Sequence, residues 1–231
     1  MSNILICDDE KDIVSALRIC LAAEGYEIFE AYNGMEALNV IRQNDIHLVL
    51  LDIMMPEMDG ISTLAKIREN YNMPVLFISA KSEDADKILG LNIGADDYIT
   101  KPFNIIEVVA RVKSNLRRYM RLGSNVSGSS RIEIGGLCLD DSEKTVTADG
   151  EEINLTPTEY EILKLLMKNP GKVFSPREIY EKVWKETLLG SENTVAVHIR
   201  HLREKLEINP ADPRYIKVVW GQGYKIQGVG R

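Results

Sequence analysis

The chain has 231 residues, enough for two ordinary domains that each bury a hydrophobic core. Its 45% hydrophobic and 27% charged residues are typical of soluble proteins, and no apolar run approaches the roughly 20 residues of a membrane span. The net charge of −7 hides an asymmetry, because residues 1–121 carry 13 Lys and Arg against 19 Asp and Glu, whereas residues 157–231 carry 13 against 9.

Charge, targeting signals and cysteine usage narrow the class of protein. An acidic half joined to a basic half favours a nucleic-acid partner for the second half. The N-terminus lacks a basic-then-apolar signal peptide, so a cytoplasmic location is expected. The three cysteines are odd in number and have no CxxC spacing, which predicts neither a disulfide framework nor a cysteine zinc site.

Strands and helices alternate through the first half. Apolar strands are predicted at Ile4–Cys7, Glu27–Ala31, Leu48–Asp52, Val75–Ile78 and Tyr98–Thr100. Helices are predicted at Lys11–Ala23, Gly34–Gln43, Ile61–Glu69, Ser82–Ile93 and Asn104–Arg121. This order indicates an α/β, doubly wound, flavodoxin-like domain with a five-stranded parallel sheet.

Four of these strands end in residues that can carry chemistry. The continuous apolar run before Asp52 is typical of a strand buried on both faces, which would place this acid at the strand's carboxyl end. Taken alone, Asp52 could equally be a residue that terminates a strand. However, the other strand ends deliver more reactive groups to the same edge of the sheet, namely Asp8, Asp9, Ser79 and Lys101.

The three acids need a compensating charge. Two like charges about 4 Å apart repel by roughly 4 kcal/mol at an effective dielectric of 20. Mg²⁺ binds through a few carboxylates and keeps water ligands that a phosphoryl group can replace. Asp52 would then be the nucleophile that forms an aspartyl phosphate, with Lys101 offsetting charge on the transferring oxygens and Ser79 bonding one of them.

The motifs of the first half resemble the receiver domain of two-component response regulators. They are Asp8-Asp9, Asp52 with Met55-Pro56 and Asp59-Gly60, Ser79-Ala80, and Lys101-Pro102-Phe103. The resemblance covers about residues 2–121 and implies that Asp52 is the phosphoacceptor. It further implies that Asp8, Asp9 and Asp52 hold Mg²⁺ with the Met54 backbone carbonyl, and that Ser79 and Tyr98 are the switch residues.

Complementary charges lie along the last helix, strand and helix of this half, between residues 82 and 121. They could simply form a solvated surface, where one ion pair contributes little. In the OmpR/PhoB-type subfamily, matching positions form a two-fold dimer interface. The pairings that this resemblance implies are Lys87 with Glu107, Asp97 with Arg111, and Asp96 with Arg118.

A Gly- and Ser-rich stretch at 122–130 is typical of a flexible linker between residues 1–121 and residues 131–231. After it, short strand-like runs with an Asp149-Gly150 turn predict a small antiparallel sheet. Thr156 and Ser175 then begin two helices, each with Pro at the first position and Glu closing a capping box. Two capped helices followed by a third indicate a helix-turn-helix.

The third helix, at 192–206, is the candidate DNA-contacting element. Val195, Ile199, Leu202 and Leu206 form an apolar stripe that would pack inward. The remaining surface could be an ordinary solvated face, and Glu204 favours that alternative. The preceding helices and the following hairpin favour DNA contact instead, with these candidate residues: Asn193, Thr194, Val197, His198, Arg200, His201, Arg203, Lys205 and, in the hairpin, Trp220.

Residues 131–228 resemble the α+β winged-helix domain of OmpR/PhoB-type regulators through "LTPTEYEIL", "VHIRHLREKL" and "GQGYKI". The hairpin around residues 220–223 would be the wing. Trp220 departs from the arginine that many members place before Gly-x-Gly-Tyr, so minor-groove contact by this wing is not implied. Trp220 together with His201 is similar to the VanR branch, which controls glycopeptide-resistance genes.

These observations predict a transcription regulator rather than an enzyme that turns over a substrate. A sensor histidine kinase would phosphorylate Asp52, and the homodimer would bind promoter DNA and act with RNA polymerase. Two alternatives remain open. The first is a phosphatase with an aspartyl intermediate, which usually has a second acid two residues after the nucleophile, where this chain has Met54. The second is a DNA-binding protein with an inert receiver, which would take up no phosphate.

Overall fold

The structure is a computed structural model and describes residues 2–80, 94–122, 131–185 and 193–227. The chain divides into two compact units, Met1–Tyr119 and Met120–Arg231. The predicted helix at Ser82–Ile93 and, apart from Leu122, the predicted linker at 122–130 lie outside the described residues, so both stay predictions. No helix within the described ranges is long and apolar enough to cross a membrane.

A five-stranded parallel sheet organises the first unit. The strands are β1 Asn3–Cys7, β2 Glu27–Ala31, β3 Leu48–Asp52, β4 Val75–Ala80 and β5 Asp97–Lys101, in the order β2-β1-β3-β4-β5. The helices α1 Lys11–Ala23, α2 Gly34–Gln43, α3 Gly60–Arg68 and α4 Ile105–Leu122 alternate with them. The predicted doubly wound fold is confirmed. The strand order reverses between β1 and β3, which is where such sheets bind their ligands.

Helices cover both faces of this sheet. One face packs Leu48 and Leu50 of β3 against apolar residues of α1 and α4, including Leu17 and Val112. Val49 and Leu51, which alternate with these residues along β3 and point to the opposite face, are fully buried, as are apolar residues of α2 and α3. All five residues of β3 are therefore buried, which accounts for its continuous apolar sequence. Burial of each large apolar side chain contributes roughly 1.5–3 kcal/mol.

The second unit begins with a four-stranded antiparallel sheet. Its strands are β6 Arg131–Ile134, β7 Leu137–Asp140, β8 Thr145–Ala148 and β9 Glu151–Glu152, paired in sequence order. The turn at Asp149-Gly150 has positive φ at both residues, which confirms the predicted hairpin. The last strand has only two residues, because its pairing with β8 is limited to Thr147 with Glu152 and Ala148 with Glu151.

Three helices and a hairpin complete this unit. The helices are α5 Pro157–Met167, α6 Pro176–Trp184 and α7 Asn193–Leu206, and the antiparallel hairpin is β10 Ile216–Val219 with β11 Gly223–Ile226. Both predicted capping boxes are present, from Thr156 to Glu159 and from Ser175 to Glu178. Residues of all three helices share one apolar core with the antiparallel sheet and the hairpin. The winged-helix architecture is confirmed.

Candidate functional site

The carboxyl ends of the parallel strands bring polar side chains to one edge of the sheet. Asp8 follows β1, Asp52 ends β3, and Lys101 ends β5. Ser79 lies one residue before the end of β4, and its register partner on β5 is Thr100, next to Lys101. Asp8, Asp52 and Ser79 are all nearly inaccessible to solvent. The structure therefore brings Asp8, Asp52 and Lys101 together, because neighbouring parallel strands end at the same level, and Ser79 lies at the same edge.

Lys101 connects the acids at this edge. Its Nζ lies 2.8 Å from Oδ2 of Asp8, 3.1 Å from Oδ1 of Asp52 and 3.0 Å from Oε1 of Glu10. Glu10 had no predicted role, although it is the third acid of the run after β1. Hydrogen bonds to Asp8 and to the other two acids raise the pKa of Lys101 despite the opposing effect of burial. Its ammonium therefore carries a full positive charge at neutral pH.

Asp52 is held in place by the backbone that follows it. The N–H of Met54 donates to Oδ2 of Asp52 at 2.7 Å, whereas Lys101 contacts Oδ1. A Cβ on Gly60 would collide with the carbonyl oxygen of Asp52, so only glycine fits where α3 begins. Asp59 caps the same helix by accepting from the N–H of Ser62. The Asp-Gly pair therefore lets the loop return closely to the acid.

Burial raises the pKa of Asp52 from 3.8 to about 6. The Lys101 ammonium opposes this shift, and the Asp8 carboxylate adds to it. One lysine therefore does not fully offset the desolvation and repulsion of the two buried acids. The site favours a further cation.

Mg²⁺ fits these donors. Oδ2 of Asp8 has no hydrogen-bond donor besides the Lys101 ammonium among the described residues. Mg²⁺ needs only one or two carboxylates, because it retains several waters. Asp8 and Asp52 would supply these ligands, with Asp9 exposed at the rim. The structure shows a contact of the Met54 N–H with the site, and a role for the Met54 carbonyl stays a prediction.

Tyr98 and Ser79 lie on adjacent strands. Tyr98 on β5 pairs in register with Phe77 of β4, two residues before Ser79. The Tyr98 side chain is half-buried and Ser79 is buried. Their roles as switch residues stay predictions.

The charges assigned to a dimer interface pair within one chain. Arg111 Nη1 lies 2.9 Å from Oδ1 of Asp97, and Arg111 Nη2 lies 2.9 Å from Oε1 of Glu107. Asp96 is fully buried and accepts from Arg68 at 2.8 Å and from the N–H of Val75 at 3.0 Å. Asp96 thus has two partners within its own chain, and its implied pairing with Arg118 of a second copy stays a prediction.

Arg118 and Lys87 are the remaining residues of this predicted interface. Arg118 is also buried, and it donates to Ser114 and Asn115 of its own helix. Lys87 lies outside the described residues. Asp97 and Arg111 pair within one molecule, and their pairing between two copies stays a prediction.

The surface of α7 differs from its prediction. Thr194, Val197, His198 and His201 are buried, with exposed fractions between 1% and 8%. The buried face of α7 is therefore wider than its apolar stripe. The assignment of these four residues to DNA contact stays a prediction. The exposed face instead carries Ala196, Arg200 and Glu204, spaced by one turn.

The cations of α7 have partners inside the domain. Arg200 lies on the exposed face, where its Nε donates to Glu204 at 2.7 Å. Arg203 donates twice to the carbonyl oxygen of Ile216 and thereby ties α7 to β10. Lys205 Nζ lies 2.7 Å from Oε2 of Glu159. Arg200 is thus the predicted cation best placed for a duplex, and the structure does not describe the side chain of Asn193.

Trp220 lies at the tip of the hairpin with 88% of its surface exposed. The flanking strands are fixed to the domain, because Phe174 pairs with Tyr224 through two backbone hydrogen bonds of 2.9 Å. A Cβ on Gly223 would collide with the Phe174 carbonyl oxygen, so this close pairing requires glycine. An exposed indole on a rigid hairpin is a suitable group for contact with a macromolecular partner.

Comparisons with known proteins agree with both units. A family model described as "Response regulator receiver domain" matches residues 4–113, and one described as "Transcriptional regulatory protein, C terminal" matches residues 150–226. The chain is similar to the regulatory protein VanRc of Enterococcus gallinarum, at 44% identity over 97% of this chain and 98% of that protein. It is also similar to the transcriptional regulatory protein SrrA of Staphylococcus aureus, at 43% identity over 98% and 96%.

Two solved structures resemble the whole chain. A mutant of RitR has a TM-score of 0.77 at 28% identity, covering 99% of this chain and all of that one. The response regulator DrrB of Thermotoga maritima, described as an OmpR/PhoB homolog, has a TM-score of 0.52 at 32% identity with the same coverage.

Proposed function

The chain belongs to the two-component response regulators of the OmpR/PhoB type, and from this membership we propose that a phosphoryl group stored on Asp52 controls promoter binding by the second unit. Response regulators of this type regulate transcription through their winged-helix domain. One observation carries the proposal most directly, namely the Lys101 ammonium in contact with both Asp8 and Asp52 at the sheet edge.

The chemistry is a phosphoryl transfer from a sensor histidine kinase. An oxygen of Asp52 forms a bond to phosphorus while the bond from phosphorus to the kinase histidine breaks, and the released imidazole takes up a proton. Lys101 balances negative charge on the transferring oxygens, and the Met54 N–H fixes the orientation of the Asp52 carboxylate. Ser79 lies at the same edge and would bond one phosphoryl oxygen.

Mg²⁺ would be held by Asp8 and Asp52, by Asp9 from the exposed rim and by the Met54 carbonyl, and when bound it would supply positive charge that neutralises the phosphoryl oxygens. The raised pKa of Asp52 supports this assignment, since a second cation would favour the ionised carboxylate that attacks phosphorus. The protein promotes its own phosphorylation and does not turn over an external substrate.

Phosphorylation controls DNA binding through dimerisation. Ser79 and Tyr98 would move together, and pairing through the face at residues 82–121 would follow. Arg111 and Arg118 are buried within one chain, so two copies pair only after these side chains become accessible. The Asp97–Arg111 ion pair could then be exchanged between copies without loss of an ion pair, which keeps the energy difference between the two states small.

Dimerisation places two DNA-binding domains on neighbouring half-sites about one helical turn apart. The link raises DNA affinity through effective concentration, without new contacts in either domain. Arg200 on α7 and Trp220 on the hairpin are the proposed contacts. The similarity to VanRc and VanR supports glycopeptide-resistance promoters as targets, with RNA polymerase as a further partner in the cytoplasm.

The experiment that tests this function is Mg²⁺-dependent labelling of the full chain with acetyl phosphate. We expect one hydroxylamine-labile phosphate per chain that survives removal of the donor, and no label on Asp52→Asn. Rapid release of inorganic phosphate would identify a phosphatase instead. Absence of labelling in the wild-type chain would identify a DNA-binding protein with an inert receiver.

A further inference from the structure

A buried group of three metal-ligand side chains lies in the DNA-binding domain. Glu159 is in the first turn of α5, and His198 and His201 are on α7. Their ligand atoms all lie within 4.8 Å of one another, the one such group of three among the residues that the structure describes. The exposed fractions are 1% for Glu159 and His198 and 6% for His201. Neither phosphorylation nor the proposed DNA contacts use these three residues.

The backbone geometry directs the two histidines to one place. Residues three apart on an α-helix share a face, so His198 and His201 face α5 together. Pairs of ligands with this spacing are how helical bundles build metal sites in their interiors. Imidazole nitrogens with one carboxylate suit Zn²⁺ and related transition-metal ions, whereas Mg²⁺ prefers oxygen ligands only.

Glu159 is oriented for coordination by its other contacts. Its Oε2 accepts from the N–H of Thr156 at 2.8 Å and from Lys205 at 2.7 Å. Its Oε1 lies on the histidine side, 3.7 Å from Nδ1 of His201. Of these two contacts, the neutral N–H of Thr156 holds the carboxylate in place from outside the metal shell, which favours metal binding.

We propose that Glu159, His198 and His201 bind one Zn²⁺-like divalent ion, with water as the fourth ligand. Tetrahedral zinc with nitrogen and oxygen ligands places these atoms roughly 3.3 Å apart. Because the ligand atoms lie within 4.8 Å of one another, they need to approach by at most about 1.5 Å, which we expect from rotation of the two imidazoles. The bound ion joins α7 to the start of α5 and so fixes the helix that carries Arg200.

The position of Lys205 gives metal binding a second expected consequence. Its ammonium contacts the oxygen of Glu159 that does not face the histidines, and repulsion from a bound dication would displace it. The Lys205 side chain is 36% exposed, so it can move into solvent. Metal binding would therefore release one cation on α7 for a DNA phosphate. This last consequence rests on the proposed function, whereas metal binding itself does not.

The test is a titration of the full chain with Co²⁺, in excess Mg²⁺ so that oxygen-only sites are filled, followed by competition with Zn²⁺. We expect one Co²⁺ per chain with the intense visible absorption of tetrahedral nitrogen coordination. His198→Ala, His201→Ala and Glu159→Gln should each lower the affinity by more than about 100-fold, beyond the 10- to 100-fold effect of an outer-shell residue.

The matched control is His47→Ala, because His47 is the one other histidine of the chain. It should keep wild-type affinity. Substitution of a buried ligand could unfold the domain, so Lys205→Met provides an independent test at a partly exposed site. Loss of the competing ammonium should raise the affinity for Co²⁺ about tenfold.

Several outcomes would overturn the site. The first is the absence of a stoichiometric tetrahedral Co²⁺ spectrum in the wild-type chain. The second is an equal loss of Co²⁺ affinity in His47→Ala, and the third is weaker Co²⁺ binding in Lys205→Met. The first would mean that the histidines stabilise the domain without a metal, as the ring of His198 packs 5.7 Å from that of Trp184. If the metal binds but Zn²⁺ leaves DNA affinity and its salt dependence unchanged, the site stands and the release of Lys205 is rejected.

Discussion

Lys101 Nζ lies 3.1 Å from Oδ1 of Asp52, and this contact joins the ends of β5 and β3 across the intervening strand β4. The lysine side chain is 16% exposed and the aspartate side chain 4%, so the pair is shielded from water. The same ammonium contacts Asp8. Two buried carboxylates therefore depend on one cation when no metal is bound.

Lys101→Met should lower both stability and phosphorylation. Removal of one partner from a buried ion pair leaves the other uncompensated, and we expect a loss of about 3 kcal/mol in the free energy of unfolding without Mg²⁺. Labelling by acetyl phosphate should slow about 100-fold, the usual effect of removing one charge-stabilising group. Lys113→Met is the control, because its ion pair with Glu24 is exposed and its loss should change neither quantity measurably.

Asp52→Asn should stabilise the first unit at neutral pH. The pKa of Asp52 is about 6 in the folded chain against 3.8 as its ordinary value, so the folded state binds the proton more tightly. This favourable contribution is complete below about pH 3.8 and is lost as the pH rises through 6. At pH 7.5 the ionised carboxylate therefore destabilises the fold by up to about 3 kcal/mol, which the amide avoids.

Urea unfolding followed by far-ultraviolet circular dichroism in EDTA measures this difference. The gain should shrink as the pH falls from about 7.5 towards about 4. Both tryptophans, Trp184 and Trp220, lie in the second unit, so the transition seen by tryptophan fluorescence should not change. A less stable Asp52→Asn protein at neutral pH would contradict the assigned cost of burial.

Glu204→Gln should increase DNA affinity. Glu204 neutralises Arg200 through an exposed i, i+4 ion pair of 2.7 Å and also presents negative charge to the duplex. Its removal should strengthen binding about threefold, whereas Arg200→Ala should weaken it about tenfold and reduce the salt slope by about one. Fluorescence anisotropy across a salt series measures both effects. Glu181→Gln, which breaks the equivalent pair with Arg177 on α6, should have the smaller effect.

Trp220→Ala should weaken DNA binding and leave folding intact. The indole is 88% exposed, so its removal should change the free energy of unfolding by less than about 0.5 kcal/mol. A contact with sugar or base should contribute about tenfold in affinity. Ile208→Ala is the control, because Ile208 is 92% exposed and follows α7 rather than the hairpin. Equal DNA affinity for wild type and Trp220→Ala would exclude the hairpin tip from the interface.

Glu207→Ala should destabilise the second unit strongly. The buried carboxylate accepts from the backbone N–H groups of Arg214, Tyr215 and Ile216 and so fixes the segment that leads into β10. Loss of these acceptors leaves buried donors unsatisfied, and we expect a cost of about 3 kcal/mol in urea unfolding followed by tryptophan fluorescence. Glu204→Ala, at an exposed position three residues earlier, should change stability little. A similar loss in both variants would argue against the role of Glu207.

The cluster at the carboxyl ends of the parallel strands could be predicted because the sequence patterns that indicate it are local and periodic. Alternation of strands and helices indicates a parallel sheet, and parallel strands end on one side, so Asp8, Asp52 and Lys101 had to meet. Glu10 escaped prediction because three consecutive acids give no indication of which side chain turns back to the lysine. The capping boxes at Thr156 and Ser175 were equally readable, since all their hydrogen bonds lie within one helical turn.

The surface of α7 could not be predicted in the same way. The apolar stripe from Val195 to Leu206 gives the direction of the buried face but not its width, which depends on how closely α5 and α6 approach. His198 and His201 are polar, yet packing places them inside with Glu159. The charges of Asp96, Asp97 and Arg111 show the same limit, because complementary residues predict an ion pair without saying whether it joins two copies or closes within one.

The sequence by itself determined the two domain types, the order of their elements and the acid that is the candidate phosphoacceptor. These follow from periodicity and from the polarity of strand ends, which act over a few residues. Tertiary structure alone decided which cations face solvent, which carboxylates are already neutralised and where two histidines meet a glutamate. Those outcomes depend on distances between segments far apart in the chain, and desolvation and Coulomb energies change steeply over a few ångströms.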